Sequence, residues 1–92
     1  MFSVNTVPVP NKEVIGRIVD NEAVLVSAGK GEIKVLNEVG TRIWALIDGQ
    51  RTIKDIAAIL HLEFKVSQAE AEDDTLAFIR QLVDKDIISI GS

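Results

Sequence analysis

The chain has no cysteine. That excludes disulfides, thiolate metal sites and a cysteine nucleophile, and it fits a reducing, cytosolic setting. No stretch approaches the roughly 20 consecutive apolar residues that span a bilayer, and the first ten residues lack the basic start and apolar run of a secretory signal. Basic residues are in the minority. Ten Lys and Arg face fourteen Asp and Glu, for a net charge of −4 and a pI near 4.8. A surface of that sign repels phosphate backbones and anionic lipids, so nucleic acid and membrane are both disfavoured as partners. Histidine is scarce as well. His61 stands alone, without an HxxxH partner, at the end of a helical pattern where a His usually meets the last carbonyls.

What is present suits one small domain. Ninety-two residues with 47% apolar and 26% charged content have an ordinary globular balance. A chain of that length buries roughly 60–65% of its unfolded surface, enough for one modest core. The most informative stretch is Leu36 to Gly49, where a strand ends and a helix begins at once. Asn37 is suited to cap that helix, Glu38 places a negative charge near the positive end of its dipole, and Val39, Ile43, Leu46 and Ile47 recur at helical spacing. Trp44, the only tryptophan, widens the stripe, and Gly49 can take the left-handed conformation that stops a helix. The spacing predicts a helix over Glu38 to Asp48.

Before this corner come three strand patterns. Val14 to Val19 has Gly16 as a candidate bulge, and Asp20-Asn21 supplies a two-residue turn. Glu22 to Ala28 is rich in Val and Leu and reads as a well-covered strand. Gly29-Lys30-Gly31 marks the next turn, and Glu32 to Leu36 alternates Ile33 and Val35 against Glu32 and Lys34. Residues 1–12 read as an extended arm, punctuated by Pro8 and Pro10, ahead of a domain over 13–90. After the corner, Thr52 with Asp55 at the third helical position makes a capping box for a second helix, and Ser67 caps a third that runs to about Lys85. Ile87 to Ile90 is either a short last strand or an extended tail. The fold class expected is α+β and winged helix-turn-helix-like, a three-stranded antiparallel sheet followed by three helices.

Enzyme chemistry finds no foothold. Gly29-Lys30-Gly31 lacks phosphate-loop spacing and opens a strand, no serine lies in a G-x-S-x-G elbow, and Thr52 and Ser67 are accounted for as caps. Glu70, Glu72, Asp73 and Asp74 suit a helix start better than a metal site. No catalytic residue, cofactor or metal is expected. A winged-helix DNA-binding regulator is the alternative that the scaffold allows. However, from Ser67 to Asp84 the third helix carries five acids against the single base Arg80. A purely structural subunit or dimer module is a third reading. What remains is a surface of backbone and apolar groups. If Glu32 to Leu36 lies at a sheet edge, an incoming peptide can add as a further strand, with the third helix as the opposite wall. The same strand is equally open to being covered by the chain's own N-terminal arm.

The spaced pattern Val24-Leu25, Val35-Leu36-Asn37-Glu38, Ile43-Trp44, Leu46 to Gly49, Arg51-Thr52-Ile53, Ile56-Ala57, Leu60, Asp74, Phe78-Ile79, Leu82 and Asp86-Ile87-Ile88 resembles the PqqD family. These are leader-peptide recognition domains, also called RiPP recognition elements. The resemblance spans about residues 13 to 90. It implies a three-stranded sheet on three helices, no catalysis, and binding of the leader of a ribosomally made precursor peptide as an added strand. Carried over, the peptide-binding residues are Ile33, Lys34, Val35 and Leu36 on the third strand, with Asp74, Thr75, Phe78 and Ile79 across the groove. The first helix ends Ile47-Asp48-Gly49, where members serving pyrroloquinoline quinone synthesis usually have a Cys-Asp-Gly-like ending. That looks more like the stand-alone proteins of lasso-peptide clusters, which implies a separate leader peptidase as partner and a cytoplasmic location.

Overall fold

In the computed structural model, residues 2–27 and 31–91 are described. The order of elements is β1 (Val7–Pro10), β2 (Val14–Val19), β3 (Glu22–Ser27), β4 (Glu32–Val35), α1 (Glu38–Leu46), α2 (Ile53–Phe64), α3 (Gln68–Asp84) and β5 (Ile88–Gly91). β2, β3 and β4 form the expected antiparallel meander, and β1 pairs with β5 in a second, two-stranded sheet. Ala28, the expected last residue of the meander's middle strand, and Gly29 and Lys30 of the expected turn lie outside the described residues. Gly31 closes that turn at φ +65°, a left-handed conformation that costs glycine nothing.

Each helix starts where its capping residue predicts. The Asn37 side chain accepts the Gly40 amide, Thr52 and Asp55 exchange both bonds of a capping box, and the Ser67 hydroxyl accepts the Glu70 amide. The first helix is shorter than its apolar spacing suggests and stops at Leu46. The cause is local competition for backbone groups. The Asp48 carboxylate accepts the amides of Gln50 and Arg51, and the Arg51 guanidinium donates to the Leu46 carbonyl at 3.1 Å. Gly49, at φ +80°, belongs to the turn that follows.

The core joins one face of the meander to the helices. Ala23, Leu25, Leu36, Ile43, Ile53, Ile56, Leu60, Ile79 and Leu82 are all at most 2% exposed. Each such Leu or Ile contributes roughly 1.5–3 kcal/mol by leaving water. Gly16 is not a bulge, because β2 keeps an unbroken register with β3 from Val14↔Ser27 to Val19↔Glu22. Its glycine serves a close approach instead. A Cβ there would sit 2.8 Å from Nε1 of Trp44, whose indole rests on this spot. His61 shares a hydrogen bond with the carbonyl of Val66, which ties the end of α2 to the turn ahead of α3.

The N-terminal arm does not lie on β4. Val4 and Thr6 accept the amides of Lys54 and Ile53 at the start of α2 with their carbonyls, and Val7 to Pro10 then pairs with the C-terminal strand. Two of the orphan donors of the α2 N-terminus are met in this way. No described helix is long and apolar enough to cross a membrane.

Candidate peptide-binding site

The site begins with the geometry of β4. Among the described residues this strand pairs only with β3, through Val24↔Val35, Leu25↔Lys34 and Val26↔Ile33. The Leu36 amide donates to the Ala23 carbonyl at 2.8 Å, just beyond the strand. In an antiparallel ladder the backbone groups turn toward the partner at every second residue. Leu36, Lys34 and Glu32 therefore address β3, while Ile33 and Val35 present their amides and carbonyls to the open side. Their side chains stand on the sheet face turned away from the core and are 67% and 60% exposed. Lys34 shares the opposite face with Leu25.

Leu36 has a different task. Its side chain is 2% exposed, and it anchors the corner between β4 and α1. Thr41, which drew no attention in the sequence, completes that corner. Its hydroxyl accepts the Ala23 amide at 2.7 Å and donates to the Leu36 carbonyl at 3.3 Å. It takes the place of the last rung of the ladder, so the chain can leave the sheet with no buried backbone group orphaned. A polar residue inside an otherwise apolar helical stripe was the one available signal.

On α3 the four expected residues separate into two pairs. Asp74 is exposed and Phe78 half-buried one turn later on the same side. Thr75 and Ile79 are both 0% exposed and point into the core with Ala71 and Leu82. The structure thus places Thr75 and Ile79 in the packing rather than on the surface. At 100° per residue, neighbours such as Asp74 and Thr75 fall on opposite sides of the boundary between core and surface. Phe78 reaches the first turn of α1. A Cβ on Gly40 would lie 2.9 Å from its ring, so Gly40 is the seat that lets this aromatic pack on α1. A glycine inside a helix, where it costs about 1 kcal/mol against alanine, was the sequence trace of that contact. Of the expected site residues, Ile33 and Val35 lie on the open edge, Lys34 on the core-side face of β4, and Asp74 and Phe78 share one side of α3.

The ion pairs of the helical layer are surface pairs. Arg42 and Glu63 form a two-pronged bridge at 2.8 Å from α1 to α2, which holds the Glu63 carboxyl below the usual range and raises the guanidinium pKa. Asp48 is held low by the amides of Arg51 and Gln50. No group of three or more His, Cys, Asp or Glu able to hold a metal occurs among the described residues.

The family model for coenzyme PQQ synthesis protein D (PqqD) matches residues 22–88. The chain belongs to the PqqD family. Solved structures agree with that assignment. TbiB1 in complex with the TbiA(beta) leader peptide is similar at 27% identity and a TM-score of 0.83, covering 88% of this chain and 94% of its own. The PqqD truncation of Methylobacterium extorquens PqqCD, described as a functional stand-alone RiPP recognition element, is 26% identical with a TM-score of 0.81, covering 97% and 95%. Lasso peptide synthetase B1 complexed with the leader peptide has a TM-score of 0.82 and covers 90% and 98%, and at 23% identity it shows the shared fold. No curated protein is significantly similar in sequence. The PqqD-type match runs from β3 to the start of β5 and so takes in β4 and all three helices.

Proposed function

We propose that this PqqD-family chain is a non-catalytic adaptor. It binds the leader of a ribosomally synthesised precursor peptide by strand addition to β4 and delivers it to a processing enzyme, with a lasso-type leader peptidase the favoured partner. The observation that carries the reading is the open edge of β4, where Ile33 and Val35 offer outward amides and carbonyls while the N-terminal arm is committed to β5. A guest strand gains main-chain hydrogen bonds there, and its alternate side chains turn toward the Asp74–Phe78 side of α3. The leader peptides bound by TbiB1 and by lasso peptide synthetase B1 support the same assignment.

The DNA-binding alternative loses ground. Arg80, the only base on α3, lies over the Phe2 ring at 5.3 Å and is engaged within the chain. Calorimetric titration with the leader encoded beside the gene tests the proposal. Binding should shift the amide resonances of Ile33 and Val35, and the Val35→Pro variant should lose it. An absence of both heat and shifts in the wild type would sink the reading.

A further inference from the structure

The meander has an uncovered side. The face opposite the core carries Ile15, Val26 and Ile33 in one cross-strand row and Val24 and Val35 in the next, with Val19 beyond them. Ile15, Val19, Ile33 and Val35 are 58%, 56%, 67% and 60% exposed. The charged side chains on this face of the three strands are Arg17 and Glu22, of opposite sign, so its character is apolar and nearly neutral in a chain of net charge −4. The exposed apolar area is on the order of 400 Å², the size at which a patch on a monomer is often functional. A little over half of the roughly 800 Å² per partner that a stable interface buries is apolar, so the patch comes close to what a docked protein covers.

The face runs without a break to the open edge of β4. A peptide added there would point every second side chain onto this same side and widen the patch. We infer that the outer face of the β2–β3–β4 sheet, extended by the outward side chains of the bound leader, is the docking surface for the processing enzyme, which therefore engages the loaded adaptor in preference to the empty one. This rests on the leader-binding reading above. It adds the surface that the enzyme contacts and the order of assembly.

The test uses the full chain, the leader, and the leader peptidase encoded beside the gene. An Ile15→Lys, Val19→Lys double variant alters β2, two strands away from the β4 edge, and an Ile15→Thr variant makes a milder change that keeps a good strand former. Wild-type adaptor should bind the peptidase at least tenfold more tightly when the leader is present. The double variant should hold the leader within twofold of wild type, with an unchanged circular dichroism spectrum, yet lose at least tenfold of its peptidase affinity. The threonine variant should fall between the two. Peptidase binding that is indifferent to these substitutions or to the leader overturns the inference and leaves leader recognition standing. Sedimentation showing that the wild type pairs with itself through this face, and that the double variant does not, overturns it as well. A wild type that never binds the leader removes the functional reading and this inference together.

Discussion

β1 and β4 are both short strands at the margin of a small sheet, yet they treat an outside backbone in opposite ways. The Asn11 amide donates to the Ile87 carbonyl, so in the register of β1 with β5 the residues whose nitrogen faces away from β5 are Pro10 and Pro8. Neither has an amide to offer. Pro8 is fully buried, and a residue with an N–H at that place would bury a donor with no partner. On β4 the matching outward positions hold Ile33 and Val35, which are exposed and carry donors. One margin is sealed by its residue type and the other is left ready. Proteins usually blunt exposed edges, and under the proposed function the bare margin of β4 is where the leader adds.

Making one margin like the other gives the sharpest tests. Val35→Pro gives β4 the chemistry of β1. Leader affinity by calorimetry should drop at least a hundredfold, while chemical denaturation shows a loss of less than about 1 kcal/mol, because that nitrogen takes no part in the β3 ladder. The two strands are also fastened differently. Thr41 closes the β4 corner from inside the core, whereas Asn11 pins β1 from a half-exposed position by donating to the Asp86 carbonyl at 2.8 Å. Thr41→Val should cost about 2 kcal/mol, since the Ala23 amide loses its acceptor in a buried place. Asn11→Ala should cost about half as much or less by the same measurement. Pro8→Val reverses the first exchange and should destabilise the fold by about 1–2 kcal/mol without touching leader binding. If Pro8→Val is neutral and Val35→Pro unfolds the chain, the contrast between the two edges is wrong.

Acid should produce the smallest effect. The Glu63 and Asp48 carboxyls sit below their usual range in the folded chain, the first through Arg42 and the second through backbone amides. Their contribution is complete above the ordinary carboxylate range near pH 4 and fades as pH falls through the lowered values. Thermal midpoints should hold level from pH 7 to about 5, then decline. Both groups are exposed, so added salt should shrink the part of this decline that comes from the Arg42–Glu63 pair.

Much of the fold is written locally. Asn37, Thr52 and Ser67 announce three helix starts, Asp20-Asn21 announces a hairpin, and the alternation of Ile33 and Val35 with Lys34 announces a strand. Gly16 shows how such reading falters. A glycine in a strand suggests a bulge or a close contact, and only the position of Trp44, far along the chain, decides for contact. Leu36 fits the strand pattern as well as Val35 does, but the turn into α1 carries its side chain into the core. On α3 the helical period identifies an apolar stripe without fixing where its border runs, and only the packing separates the buried Thr75 and Ile79 from Asp74 and Phe78.

By itself the sequence determined the kinds and order of the elements and their caps. Those properties arise within a few residues, where sterics and hydrogen bonds act along the backbone. The tertiary structure alone decided that the arm would join β5, that Ile33 and Val35 rather than Lys34 would face the open side, and that Phe78 would pack on Gly40 of α1. Strand pairing and register are set by partners as far apart in sequence as Val7 and Gly91, and their free energy exists only once both sides have met.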